Sequence, residues 1–255
     1  MRRTDPASLG RIRCVLVNTS HPGNIGAAAR AIRTMGLTRL GLVTPHLFPH
    51  REATAMAAGA DDVLDAAMVS ASLPEAIADC RLVFGATARR RGVALEEMPP
   101  REAARRIVAA AGEGVEVALL FGNERVGLDN EEIRRCHAAI AIPSDPAYAS
   151  LNLAQAVQVV AYEVRLAYLA GDPAPRPARA DPPASVAEME GFFDHLARTL
   201  DDIDFHKGRS ARTILQRLRR LFLRAAPDRR ELRILRGILA DASRMAMLAR
   251  TRTPD

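Results

Sequence analysis

Between Arg13 and Ala170 of this 255-residue chain, short β-branched or apolar runs alternate with Ala-rich helical patterns. Arg13 to Val17 reads as a strand, and Ile25 to Met35 as a helix stopped by Gly36. Leu40 to Val43 is a second strand and Ala53 to Ala60 a helix, and Pro74 to Ala78 opens or forms another. Leu82 to Gly85 is a strand and Arg101 to Ala111 a helix. Val115 to Phe121 is a nearly unbroken apolar run, the signature of a strand covered on both faces. Asn130 to Cys136 is a short helix, Ala138 to Ile142 a strand, and Asn152 to Ala170 a long helix. Alternation of this kind is met by an α/β layer fold with a mostly parallel sheet.

The pattern then breaks. Residues 171–184 hold five prolines, Pro173, Pro175, Pro177, Pro182 and Pro183, as in a semi-rigid linker. Beyond them the sequence is helical throughout, over Ser185 to Leu200, Ser210 to Arg224 and Asp228 to Leu248. Ser185 with Glu188 has the spacing of a capping box. The expected organisation is a flexible lead at 1–10, an α/β domain at 11–170, a linker at 171–184 and a small all-α region at 185–255. No internal repeat is present.

Charge also divides the chain, but further along, at Lys207. The net charge is +6, from 36 basic and 30 acidic side chains. Lys207 to Arg252 carries 14 basic and 3 acidic residues, a net of +11, whereas residues 1–206 are slightly acidic. On the middle C-terminal helix, Ile214, Leu215, Leu218, Leu221 and Phe222 recur at helical spacing, and Arg212, Arg217, Arg219, Arg220 and Arg224 fill other positions. A cationic segment on a near-neutral body suits a polyanionic partner, and arginine suits phosphate. All but one of the cations are arginine, which a high-GC genome would explain, but base composition does not explain the clustering.

Composition also excludes. Cys14, Cys80 and Cys136 are odd in number and far apart, which fits a reducing cytoplasm better than a disulfide framework. The chain opens without an apolar signal region, and no stretch approaches the roughly 20 apolar residues of a membrane helix. The six histidines are scattered, so no metal is expected.

Chemistry concentrates where strands end. Asn18 to Arg30 follows a strand and opens a helix, where backbone N–H groups favour an anion. This segment is neither a P-loop nor a dinucleotide fingerprint, and Asn24 reads as a good N-cap. In Leu120 to Leu128 a buried strand runs into glycines and the Glu124-Arg125 pair, and strand ends are where parallel sheets bind ligands. Ile142 to Ala156 forms a proline-bound loop before a helix, with Ser150 either functional or merely an N-cap. Gly85 to Arg91 places small residues at a strand end, followed by three arginines.

Taken singly, each segment has a bland structural explanation. Together, H-P-G-N-I-G-A-A-A-R, F-G-N-E-R-V-G-L and Y-A-S-L-N-L-A-Q-A-V resemble the three motifs of the SPOUT-class RNA 2′-O-ribose methyltransferases, in the same order and separation. The wider stretches His21 to Leu37, Val117 to His137 and Ala147 to Val164 are similar to the TrmJ branch, which methylates cytidine or uridine at tRNA position 32. Arg217 to Phe222 and Leu235 to Leu239 resemble that branch's C-terminal region.

The resemblance implies a parallel α/β domain with a C-terminal trefoil knot, acting as a homodimer on tRNA. It implies S-adenosylmethionine as cofactor, held at Ala86, Thr87, Ala88, Gly122, Ile142, Ala149, Ser150 and Leu151. It carries the functional polar residues onto Asn24, Arg30, Glu124, Ser150 and Asn152. A guanidinium stays protonated in proteins, so Arg30 is better read as a phosphate clamp than as a general base. The proton of the 2′-hydroxyl would then leave through water or a carboxylate such as Glu124, unless Glu124 instead holds a loop through backbone N–H groups. Three places depart from the family pattern: Asn18 stands where related sequences often carry Glu, Ala86 where they often carry a hydroxyl, and Ser144-Asp145 where versions are more apolar or amide-rich. RNA contacts are expected from Arg30 and from Arg212, Arg217, Arg219, Arg220 and Arg224.

Overall fold

Buried strands set the architecture of the computed structural model, which describes residues 6–88, 95–171 and 182–251. The chain forms two compact units, Met1–Ala178 and Arg179–Asp255. In the first, a 3-10 helix at Pro6–Arg11 leads into β1 (Ile12–Val17), α1 (Pro22–Thr34), β2 (Arg39–Val43), α2 (Arg51–Ala57), α3 (Asp61–Asp65), β3 (Met68–Ser70) and α4 (Leu73–Ala76). Then come β4 (Leu82–Ala86), β5 (Glu97–Met98), α5 (Pro100–Gly112), β6 (Val117–Phe121), α6 (Asn130–Arg134), β7 (Ala138–Ile140) and α7 (Leu153–Ala170).

The seven strands form one sheet in the order β3-β2-β1-β6-β4-β7-β5. Every pairing is parallel. Cys14 of β1 is level with Leu40 on one side and Leu119 on the other, and Leu119 is level with Phe84 of β4. All residues of β1 and β6 are buried, as a double-faced parallel core requires. Because the strands run the same way, the loops after β1, β6, β4 and β7 emerge side by side at one edge. The helix after β7 then returns across the sheet, and α7 packs against both α1 and α5.

Most elements lie where periodicity put them, with four informative differences. The lead expected to be flexible is ordered from Pro6 on, with Ser8 and Leu9 buried under the sheet. α3, β3 and β5 have five, three and two residues, too few to show a period. α1 begins at Pro22 with His21 as its N-cap, not at Asn24. Proline at the first helical position fixes the entry and lacks only an N–H that would be unpaired anyway, so Asn24 is displaced into the first turn. The long helix is capped by Asn152, not Ser150: the Asn152 side chain accepts from the N–H groups of Ala154 and Gln155, and Gln155 closes a capping box.

The second unit contains α8 (Val186–Asp202), α9 (Ala211–Ala225) and α10 (Arg229–Thr251). Ser185 and Glu188 form the expected capping box. The core is small and aromatic: Met189, Phe192, Phe193, Leu196 and Leu200 of α8 meet Leu232 of α10, and Phe222 of α9 abuts Phe192 edge-on at 4.8 Å. The Ala184 N–H donates to the Pro227 carbonyl at 2.8 Å, tying the start of α8 to the α9–α10 turn.

Candidate functional site at the carboxyl edge of the sheet

The loops gathered at the sheet edge line a half-open cleft. Ala86, Thr87 and Ala88 after β4, Gly122 after β6, and Ile142, Ala149, Ser150 and Leu151 before α7 all line it. Every residue expected to hold the cofactor is therefore on one cleft, although they span 66 positions of sequence. Gly122 is required by close approach, because a Cβ there would overlap the backbone of Gly127 and Leu128 where the loop folds back. The Gly127 N–H donates to the Asn123 carbonyl at 2.8 Å, and Gly127 has φ +68°, closing that turn.

Beside the cleft is a polar cluster built from the same loops. The Glu124 carboxylate accepts from the Ser20 N–H at 2.9 Å, the His21 N–H at 3.3 Å and the Asn24 side-chain amide at 2.9 Å. The Asn24 Oδ1 in turn accepts from the Asn152 Nδ2 at 3.0 Å. Partial burial pushes the Glu124 carboxyl upward. The hydrogen bonds from Asn24, Ser20, its own N–H and His21 outweigh that and hold it below the usual carboxylate range. A carboxylate so held is a weak base. Of the two uses open to Glu124, the geometry favours holding the β1–α1 loop over taking a proton.

Sequence reasoning missed Asn123. Its Nδ2 donates to the Asn18 carbonyl at 2.7 Å and to the Ser20 Oγ at 2.8 Å, and its Oδ1 accepts from the Arg125 N–H at 2.9 Å. Asn18 sits at φ +54°, a left-handed conformation that Asn tolerates, and its side chain accepts from the Thr44 hydroxyl. The available signal was the spacing: Asn18 directly follows β1 and Asn123 stands two residues past the end of β6, and those two strands pair.

Arg30 is not part of this cluster. It is exposed on α1, does not line the cleft, and has no hydrogen-bond or ion-pair partner among the described residues. In the C-terminal unit, Arg212, Arg217, Arg220 and Arg224 are exposed. Arg219 corrects the expectation of a uniform cationic face. It pairs with Glu190 of α8 through both guanidinium nitrogens and stacks over the Phe193 ring at 4.6 Å, which turns it into the unit. Arg89, Arg90 and Arg91 fall outside the described residues. Among the described residues no cluster of His, Cys, Asp and Glu could hold a metal, and no helix is long and apolar enough to cross a membrane.

Residues 11–162 match the SpoU rRNA Methylase family, and the chain belongs to it. Residues 187–251 match the tRNA methyltransferase TrmJ C-terminal domain, which places it in the TrmJ branch. The chain is 48% identical over 246 residues to the tRNA (cytidine/uridine/adenosine-2′-O-)-methyltransferase TrmJ of Pseudomonas aeruginosa strain UCBPP-PA14, covering 93% of this chain and 96% of the relative. It is 48% identical over 235 residues to the tRNA (cytidine/uridine-2′-O-)-methyltransferase TrmJ of Klebsiella pneumoniae, covering 91% and 96%. The crystal structure of TrmJ from Z. mobilis ZM4 superposes with a TM-score of 0.78 at 37% identity, covering 90% of this chain and 97% of that one.

Proposed function

We propose that this protein transfers a methyl group from S-adenosylmethionine to a ribose 2′-hydroxyl of tRNA, with nucleotide 32 of the anticodon loop as the target. The observation that carries this reading is the convergence of three strand-end loops on one cleft with the Glu124–Asn24–Asn152 cluster at its side.

The cleft suits the cofactor. Its wall is mostly small or apolar, from Ala86, Ala88, Gly122, Ile142, Ala149 and Leu151, and leaves backbone groups to meet an adenine and an amino-acid chain. When bound, the cofactor supplies an electrophilic sulfonium methyl. The protein's part is to hold the ribose in line within attack distance and to stabilise the oxygen as its proton departs. Ser150 lines the cleft and can orient the hydroxyl. Arg30, without a partner among the described residues, is suited to clamp a phosphate and the developing negative charge. Glu124 keeps the loop bearing Asn24 in place, and the proton passes to water.

The helical unit serves to grip tRNA, through Arg212, Arg217, Arg220 and Arg224. Homodimer formation is supported by the exposed apolar row Tyr162, Leu166 and Leu169 on α7. The trefoil knot belongs to the same reading, supported by β6 lying between β1 and β4 with α7 returning between α1 and α5. Three buried free cysteines fit a reducing cytoplasm.

Ribose-methylation mapping of tRNA from a strain lacking the protein tests the target. Loss of the mark at position 32 is expected, and an unchanged mark there refutes that assignment. The SpoU rRNA Methylase family's name points to one competitor, a ribosomal RNA nucleotide, and mapping extended to rRNA and to the other tRNA positions would reveal it or a different tRNA target. A non-catalytic RNA-binding role is refuted by calorimetric binding of S-adenosylhomocysteine together with methyl transfer to tRNA.

A further inference from the structure

The hydrogen bonds from Glu124 to α7 have a fixed direction. An amide's oxygen and nitrogen have nearly the same shape, so hydrogen-bond partners alone decide which way an Asn faces. At one end, Glu124 as a carboxylate can only accept, so the Asn24 NH₂ faces it at 2.9 Å. That turns the Asn24 oxygen toward Asn152, whose NH₂ donates to it at 3.0 Å. At the other end, the N–H groups of Ala154 and Gln155 at the start of α7 can only donate, so they take the Asn152 oxygen at 2.9 and 3.4 Å. Both ends thus impose the same orientation on both amides. Each amide nitrogen keeps a second N–H with no partner among the described residues.

We propose that Glu124 is a positioning residue that acts through this two-amide chain, locking Asn24 and Asn152 so that they present N–H donors to the substrate. The group these donors fit is anionic: a phosphate oxygen of the RNA strand or the 2′-oxygen as it gains charge. A flipped Asn24 would offer a carbonyl oxygen instead and repel either one. The inference rests on the methyl-transfer reading for its substrate, but not for the orientation itself.

Two variants test it in the full chain. Asn152→Asp still caps α7, because aspartate is as good an N-cap as asparagine, yet it cannot donate to Asn24. Glu124→Gln keeps the shape but can turn its own NH₂ toward Asn24, so that the direction is fixed from the α7 end alone. For both, S-adenosylhomocysteine affinity within about threefold of wild type is expected, with the thermal stability of Asn152→Asp unchanged. kcat on tRNA should fall on the order of a hundredfold, as for a lost oxyanion donor, with the shape of the pH–rate profile unchanged. In ¹⁵N NMR spectra of the protein alone, the Asn24 side-chain amide pair, sharp in wild type, should broaden or double in Glu124→Gln, while that of Asn152 stays sharp. Wild-type kcat in Asn152→Asp would overturn the proposal, as would loss of the acid limb of the profile in Glu124→Gln, which would make Glu124 the proton acceptor. A protein without methyltransferase activity but with the expected NMR change would refute the function and leave the orientation lock standing.

Discussion

At the scale of single residues, the site is decided by which polar atoms already have partners. Glu124 accepts three hydrogen bonds, and Arg30 has no partner among the described residues. Arg30→Lys is therefore expected to keep part of the methyl-transfer activity with no displacement of the pH–rate profile, because a lysine still supplies a point charge to phosphate. A large displacement of the basic limb, with cofactor binding intact, would indicate a base. Glu124 also has a pH signature in stability. Its folded value lies below its unfolded one, so its contribution is complete above the ordinary carboxylate value of about 4.3 and fades as pH falls through the folded value. Acid unfolding followed by circular dichroism should begin at higher pH in wild type relative to its neutral stability, and the acid slope should be shallower in Glu124→Gln. The residue types at these positions were legible from sequence, since Asn24, Glu124, Ser150 and Asn152 stand at strand or helix ends. The partners were not: Glu124 lies 100 positions from Asn24, and Asn24 lies 128 from Asn152. No local pattern encodes such a separation.

At the scale of elements, helices were easier to foresee than their ends. α1 and α7 were recognisable from apolar spacing, but their caps depended on which of two plausible residues won. Pro22 settled the first and the Asn152–Gln155 box the second. Strands of two or three residues such as β5 and β3 exist only because the neighbouring strand offers a ladder, so their own residues carry little signal. The crossing of α1 with α2 relies on Gly26, where a Cβ would overlap the Ala53 carbonyl. Gly26→Ala should cost about 1–3 kcal/mol in chemical denaturation through overpacking, more than helix propensity returns. On α9 the arginines separate into two kinds. Arg219→Ala should destabilise the helical unit by roughly 1–3 kcal/mol, because Glu190 loses a two-point partner. Arg217→Ala or Arg220→Ala should leave stability alone. Each should lower the slope of log affinity for tRNA against log salt by about 0.7–0.9. Periodicity gave all of these residues the same exposed face. Only the packing of α8 on α9 distinguishes Arg219, through a partner 29 residues earlier in the chain.

At the scale of the whole molecule, chemistry and charge occupy different units. The α/β unit holds the cleft and the second unit carries the cationic excess. A chain ending at Gly171 is expected to bind S-adenosylhomocysteine with affinity near that of the full protein. It should also lose most of its tRNA affinity and most of the salt dependence of that affinity. Undiminished tRNA binding by the shortened chain would remove the helical unit from recognition. The division was readable in advance because the prolines and the change of periodicity coincide, and the charge turns basic further on, from Lys207. The three-loop cleft has one further consequence, for the order in which the protein matures. Its walls come from the ends of β4, β6 and β7, and the Ala149–Leu151 wall is set only when the chain returns to begin α7. A partly folded chain thus lacks a complete binding surface, and ligand can add its mass-action stabilisation only to the finished unit. In refolding, secondary structure should recover first and cofactor binding last, so that the small molecule reports that the sheet edge has closed.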